Sequence, residues 1–369
     1  MAGIYIHIPF CRRACHYCNF HFSTSLRYKN EFITALLKEI RLQQHFPGMQ
    51  EVSSLYFGGG TPSLLENVEL NNLIHEVRAH YTLLPNAELT LEANPDDLTE
   101  EKLEGWKASG INRLSIGVQS FFEEDLRWMN RAHSADQSIS GLERALRYFD
   151  NITIDLIYGT PGLTNEKWQQ NVQQAIALGI PHLSCYALTV EPKTPLDKLI
   201  RTAQYENVSS DQQSEQFLLL MQWLEEAGYE HYEISNFARP GWRSRHNSSY
   251  WKNQPYLGLG PSAHSYTGSD RQWNMANNNT YIASLNEDRI PFEKEILTPV
   301  QQLNEYIMTS LRTMEGLDLK KLTPPARTQL EKEAQKYVTG NLLSLKEDHL
   351  ILTREGKLMA DGIAAALFF

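Results

Sequence analysis

The sequence predicts an α/β chain: an open barrel of six β/α units, followed by a smaller α+β unit. Three observations lead there. Short β-branched runs alternate with amphipathic stretches through residues 4–227. After Tyr229 that rhythm stops in a stretch rich in aromatics, Asn, Gly and Pro. From Thr298 helical periodicity returns, with a hairpin signal at Glu347-Asp348 and a last helix behind it.

Taken in order, residues 4–8 (IYIHI) read as the first strand and residues 26–46 as a long amphipathic helix. Strands are expected at residues 53–57, 87–93, 113–118, 152–158 and 182–188, each a short run of β-branched and apolar side chains. The helices that follow them fall at residues 67–80, 100–109, 136–149, 165–178 and 210–227. Strand and helix in strict alternation imply parallel strands joined by crossover helices, and six such units in succession fit an open barrel better than a short doubly wound sheet. The chain thus divides into a barrel over residues 1–235, an irregular aromatic-rich connection over 236–297 and a winged-helix-like unit over 298–369. So many Tyr and Trp residues in the connection speak against disorder, and long irregular segments are usually functional.

The bulk composition excludes several classes. A net charge of −10 over 369 residues disfavours a nucleic-acid surface, which needs clustered Lys and Arg. No run of eighteen apolar residues exists, so no transmembrane helix is expected. No basic segment followed by an apolar core and cleavage site opens the chain, so no signal peptide is expected and the protein is placed in the cytoplasm. In that compartment clustered cysteines point to metal or redox chemistry rather than to disulfides.

Three of the four cysteines, Cys11, Cys15 and Cys18, fall in one short stretch, HIPFCRRACHYCNFHF. Thiolates are ligands for zinc and for iron–sulfur clusters. A zinc knuckle would need His16 or His21 as fourth ligand. Three cysteines alone leave one iron of a [4Fe–4S] cluster without a protein ligand. The amino and carboxylate groups of S-adenosylmethionine can chelate that iron, and an electron from the cluster can cleave the sulfonium to a 5′-deoxyadenosyl radical. The stretch follows the first strand, at the end of the barrel where active sites form. Cys185, in LSCYAL, reads as an ordinary buried thiol.

Beyond the cysteines, the chain resembles the radical SAM family of oxygen-independent coproporphyrinogen III oxidases (HemN-like) and their shorter relatives, the HemW-type heme chaperones. The resemblance runs through YIHIPFCRRACHYCNF, LYFGGGTPSLL, LTLEANPDDL, RLSIGVQSF, MNRAH, IDLIYGTPG, SCYALTVEPKTPL, YEISNFARPG, HNSSYW and GLGPSAHSY. It implies a partial (β/α)6 TIM-like barrel with a winged-helix-like C-terminal domain, and it implies roles for individual residues. Tyr5 would flank the methionyl group of S-adenosylmethionine. Gly58, Gly59 and Gly60 would let backbone approach that group, although a GGG run can equally be a plain tight turn. Glu92 would hydrogen-bond the nucleotide portion; otherwise it is a solvated carboxylate. Ala187 would line the same pocket. Gln119, Arg131 and Asp155, with Tyr17, Gly60 and Thr61, match positions that hold a second S-adenosylmethionine in the oxidases. Alternatively, Arg131 and Asp155 form an ion pair across the barrel mouth.

One departure separates the two branches of the family. The oxidases resemble C-x3-C-x2-C-x-C, whereas Phe20 occupies the last position here. They also carry an extension before the motif, and here Cys11 comes early. HNSSYW, from His246, is similar to the HNxxYW motif of the HemW type. The resemblance therefore implies a cytoplasmic heme chaperone with a [4Fe–4S] cluster, S-adenosylmethionine and heme. Its partners would be an electron donor and heme-accepting proteins such as respiratory enzymes, which can be membrane-bound. The rival is the oxidase itself. Heme iron takes His, Cys, Met or Tyr, and the stretch after Tyr229 offers His246, Tyr250, Trp251, Tyr256 and His264, with Arg243 and Arg245 for the propionates. His246 is the expected heme contact, unless it is a hydrogen-bonded structural residue.

Overall fold

The computed structural model describes residues 2–369. Six parallel strands lie side by side in chain order: β1 (Ala2–Ile8), β2 (Val52–Gly59), β3 (Leu83–Ala93), β4 (Arg113–Gln119), β5 (Ile152–Tyr158) and β6 (His182–Ala187). Crossover helices Lys29–Leu42, Asn67–His80, Glu100–Ala108, Ala135–Ala145 and Asn165–Ala177 separate them, and Ser210–Glu226 follows β6. Four of these helices start where a hydroxyl at the N-cap accepts an otherwise orphaned backbone N–H: Thr99, Ser134, Thr164 and Ser209. The strands are buried on both faces. On β1, Ile4, Ile6 and Ile8 share a fully buried apolar layer with Phe32, Leu36 and Ile40 of the first helix. Each such side chain contributes roughly 1.5–3 kcal/mol by leaving water. Gly3, Tyr5 and His7 alternate to the barrel interior, level with Ser54, Tyr56 and Gly58 of β2.

Details at the ends differ from expectation for local reasons. The first helix spans only Lys29–Leu42, because residues 26–28 form a turn. β3 starts at Leu83 rather than at residue 87, with Pro85 and Asn86 exposed at the strand's beginning, where no ladder bond is demanded of the proline. Helices Glu123–Trp128 and Pro195–Arg201, six and seven residues long, were too short to show a period.

The stretch expected to be irregular over 236–297 is instead mostly regular. β7 (Glu230–Glu233) and β8 (Asn236–Ala238) form an antiparallel pair added to β6. On the other side β9 (Tyr256–Leu259) adds parallel to β1, and β10 (His264–Tyr266), β11 (Asp270–Asn274) and β12 (Phe292–Ile296) extend the sheet antiparallel. The result is one open twelve-stranded sheet whose edges are β12 and β7. These strands have three to five residues, too few for visible alternation, and the barrel edges supply their hydrogen bonds. Gly258 is needed there: a Cβ would lie 2.1 Å from the His264 carbonyl oxygen. Glu39, buried on the first helix, ties this extension down by accepting from the Gly260 N–H at 2.7 Å, Asn274 Nδ2 at 2.6 Å and the Tyr281 hydroxyl at 2.6 Å.

The C-terminal unit packs helices Pro299–Leu311, Pro324–Thr339 and Ala360–Ala366 on a small antiparallel sheet of β13 (Leu317–Asp318), β14 (Leu343–Lys346) and β15 (His349–Leu352). It has its own apolar core, with Ile307, Leu311, Leu350 and Ile363 at its centre. Glu347 and Asp348 make the hairpin turn with φ of 47° and 67°, as a two-residue turn between twisted strands requires. Among the described residues no helix is long and apolar enough to cross a membrane.

Candidate functional site

The C-terminal ends of the parallel strands surround a cavity of about 470 Å³. Cys11, Cys15 and Cys18 line one wall, on the loop that leaves β1. That loop is held from both sides. The His16 backbone N–H donates to Met129 O, Asn130 Nδ2 donates to Ala14 O, and Leu196 N–H donates to His16 O. Opposite, the Arg12 guanidinium pairs with Asp96 at 2.9 Å and Asp97 at 2.7 Å. The Thr61 hydroxyl donates to Cys11 Sγ at 3.6 Å, and Arg131 Nη1 donates to Cys15 Sγ at 3.4 Å.

Neither histidine offered as a fourth zinc ligand serves as one. His16 Nδ1 donates to Trp128 O at 2.9 Å, and His21 Nε2 is bonded to Asn278 Oδ1 at 2.7 Å. As arranged, no three His, Cys, Asp or Glu side chains among the described residues form a ready metal cage. The donor chemistry on this wall is three thiols, one of which accepts from the Arg131 guanidinium. That set fits a soft iron–sulfur group. Burial pushes the Cys11 thiol up to about 11 and raises that of Cys18, so ligation there displaces protons.

Across the cavity, β2 ends at Gly59, and Gly60 follows it. Gly59 has φ +109°, a region closed to most side chains, and a Cβ there would meet the His7 ring at 2.6 Å. Glu92 closes the next wall, accepting from the Tyr56 hydroxyl at 2.8 Å and from the Gly59 N–H at 3.1 Å. It is therefore held by the fold rather than solvated. Thr61, Tyr17, Gln119, Asp155 and Ala187 also face the cavity. Gln119 is buried with φ +69°, a strained backbone kept at a cavity wall. Arg131 and Asp155 both line the space but make no ion pair, contrary to the simpler expectation. The Arg131 Nη groups are taken by Cys15, by Asn94 Oδ1 at 2.7 Å and by Gly117 O at 2.7 Å, while Asp155 sits opposite Ser184 of β6.

Tyr5 and Gly58 lie one layer below. A Cβ on Gly58 would come within 2.9 Å of Glu92 Oε1 and of both the Tyr5 and Tyr56 rings. His246 is at the far end of the barrel, in the hydrogen-bonded structural setting that is the other reading of it. Its ring is 1% exposed. Nδ1 lies 2.8 Å from the Ser54 hydroxyl and Nε2 2.8 Å from the Tyr250 hydroxyl, so neither nitrogen is free for iron. Arg243 is paired with Glu230 and Glu315, and Arg245 donates to Asn86 O. His264, exposed and stacked on Trp273, is the solvent-facing imidazole of this stretch.

Sequence reasoning passed over Asn94 and Tyr56. Asn94 links Thr61 to Arg131, and Tyr56 orients Glu92. Both were inside quoted motifs, LTLEANPDDL and LYFGGGTPSLL, but only the cross-strand register shows what they touch.

Burial raises the Glu92 carboxyl to about 7 and the Asp155 carboxyl to about 6, from 4.5 and 3.8. The folded chain thus binds protons that the unfolded chain has lost. The stability these groups contribute is complete below their unfolded values and disappears as pH rises through 6 to 7. The thermal midpoint of the cofactor-free protein is expected to fall between about pH 5 and about pH 8. Glu92→Gln removes the part of that fall that accrues up to about pH 7 and levels off above it. Calorimetry over this range checks it; an identical slope in the variant contradicts the assignment.

Residues 5–175 match the family model of the Radical SAM superfamily, and residues 297–359 that of the HemN C-terminal domain. A protein of Bacillus subtilis (strain 168), "Heme chaperone HemW", is 33% identical over 376 residues, covering 99% of this chain and 99% of that protein. The chain belongs to the HemW/HemN radical SAM family. A "Heme chaperone HemW" of Mycobacterium tuberculosis (strain ATCC 25618 / H37Rv) is 34% identical over 371 residues, covering 99% of this chain and 94% of that protein. The solved structure of the Escherichia coli coproporphyrinogen III oxidase (HemN) superposes with a TM-score of 0.86 at 24% identity, covering 100% of this chain and 90% of that one, a likeness of fold. Membership carries the family's general capability for a [4Fe–4S] cluster and S-adenosylmethionine.

Proposed function

We propose that this chain is a cytoplasmic heme chaperone. It holds a [4Fe–4S] cluster on Cys11, Cys15 and Cys18, binds S-adenosylmethionine against Gly59, Gly60, Glu92 and Ala187, binds heme, and passes it to target proteins such as respiratory enzymes. Held by Cys11, Cys15 and Cys18, such a cluster would supply one-electron chemistry toward the bound cofactor. The chain's own part is positional. Gly59 and Gly60 leave room for a ligand at the backbone, Glu92 offers fixed acceptor oxygens, and Arg131 supports the thiolate wall.

The observation that carries this reading over the oxidase is Phe20. It lines the cavity mouth at 69% exposure, in the position where the oxidase-like pattern has a cysteine. A phenyl ring supplies no thiol ligand, proton or hydrogen atom. The full-length likeness to proteins named as heme chaperones supports the same choice.

The test is anaerobic reconstitution followed by parallel assays. The expected result is saturable heme binding with no conversion of coproporphyrinogen III to protoporphyrinogen IX. Of the two candidate imidazoles, His264→Ala is expected to change the heme absorption spectrum and His246→Ala to leave it unchanged, because His264 is exposed and His246 is buried. Clear porphyrinogen turnover favours the oxidase; absence of saturable heme binding ends the chaperone reading.

A further inference from the structure

The HNSSYW segment lies at the opposite end of the barrel from the cysteine cavity, yet it is built into the barrel interior. We infer that His246 is a positioning residue for the cofactor-facing carboxylate: its ring sets Tyr56, and Tyr56 sets Glu92. The inference rests on the proposed reading of Glu92 as a contact of S-adenosylmethionine.

The inward side chains form layers, as they do in filled barrels. Cross-strand register places Gly3, Ser54 and Glu88 in the lowest layer, and Tyr5, Tyr56 and Thr90 above it. The helix Arg245–Trp251 closes the floor. Glu88 accepts the backbone N–H groups of Arg245 and His246, each at 3.0 Å. From that anchored helix the His246 ring enters the barrel, where Ser54 and Tyr250 bond its two nitrogens. Its face lies on Tyr56, with ring centroids 4.8 Å apart and planes 23° from parallel. Tyr5 stacks on both, at 6.4 Å from His246 and 6.0 Å from Tyr56. The Tyr56 hydroxyl then donates to Glu92.

Glycines bracket this stack and leave it no slack. A Cβ on Gly3 would come 3.0 Å from Ser54 Oγ and 3.2 Å from His246 Nδ1, and one on Gly58 would strike Tyr5, Tyr56 and Glu92 together. In a close-packed interior a displaced ring moves its neighbour. Loss of the imidazole therefore lets Tyr56 tilt toward the vacated space and withdraws its hydroxyl from Glu92. An imidazole with both nitrogens bonded and 1% exposure is held in one position.

The experiment measures two quantities in the wild type, His246→Ala, His246→Gln, Tyr56→Phe and the double variant His246→Ala/Tyr56→Phe. One is S-adenosylmethionine affinity of the reconstituted protein. The other is the titration midpoint of the Glu92 carboxyl in cluster-free protein, followed by infrared difference spectroscopy and identified by its loss in Glu92→Gln. The groups facing Glu92 are Tyr5 on β1, Tyr56 on β2, Asp155 on β5, Tyr186 on β6 and Tyr250 on the floor helix. All of them persist in the His246 variants, so a moved midpoint reports altered geometry. His246→Ala and Tyr56→Phe are each expected to weaken binding about tenfold, the equivalent of one hydrogen bond, and to move the midpoint upward. The double variant is expected to be no worse than Tyr56→Phe alone, since the two act in series. His246→Gln, which keeps polar contacts without the stacked ring, covers the case in which alanine does not fold. An unmoved midpoint, additive losses, or a heme spectrum altered while Glu92 is undisturbed overturns the inference. A moved midpoint in a protein that binds no S-adenosylmethionine leaves the positioning intact and rejects the cofactor reading.

Discussion

Serine at Cys11, Cys15 or Cys18 is expected to remove iron and labile sulfide from anaerobically purified protein, whereas serine at Cys185 leaves both. The wild type should carry about four of each. The reason is the donor set. The three loop cysteines share one cavity wall, and no histidine stands by to replace a lost thiol: His16 is held by Trp128 O and His21 by Asn278. A serine hydroxyl is a harder and far less acidic donor, so a three-point attachment becomes two. Cys185 lies in β6 at 1% exposure, packed in the apolar core, where burial raises its thiol further still from ionisation. Its replacement by serine buries a hydroxyl and costs stability of about 1–3 kcal/mol, without touching metal content. Stoichiometric zinc and no labile sulfide in reconstituted wild type would contradict the iron–sulfur assignment.

Gly60→Ala is expected to have the second-largest effect, larger than its single added methyl suggests. That methyl would lie 2.6 Å from the Phe10 carbonyl oxygen and 2.9 Å from Ile8 O and Phe10 N. All three are backbone atoms, and none can rotate away. Phe10 immediately precedes Cys11, and the Gly60 N–H donates to Ile8 O at 2.9 Å, so relief of the clash pushes the cysteine loop off the end of β2. Overpacking of this kind costs about 1–3 kcal/mol. The expected readouts are a lowered denaturation midpoint together with reduced iron content. Gly162→Ala is the control: nothing lies within 4 Å of a Cβ there, so any loss comes from its positive φ alone and iron content holds. Equal iron in both variants would show that the Gly60 contact does not support the loop.

Much of this molecule is legible in one dimension. The alternation of β-branched runs with amphipathic stretches determines six parallel strands, because each helix must bury its apolar stripe on the sheet that flanks it. Cys11, Cys15 and Cys18 announce themselves by spacing, since a cluster-binding loop is local in sequence. Phe20 is read by its place in that same loop. Glycines before a cavity are visible too, although the sequence does not say which atoms they make room for.

What only the tertiary structure decided is where distant residues meet. Arg131 and Asp155 looked like partners, but the fold spends the guanidinium on Asn94, Gly117 O and Cys15. β9 to β12 carry no periodic signal, because strands this short take their hydrogen bonds from the open edge of the barrel beside them. His246 is the clearest case. As a letter beside tyrosine and tryptophan it reads as a metal ligand. In the barrel it is enclosed by Ser54, Tyr56 and Tyr250, contributed by β2 and by its own helix. A side chain's lone pair is available or occupied according to what packs around it, and packing is a property of contacts between residues far apart in sequence, such as Ser54 and His246, 192 positions apart.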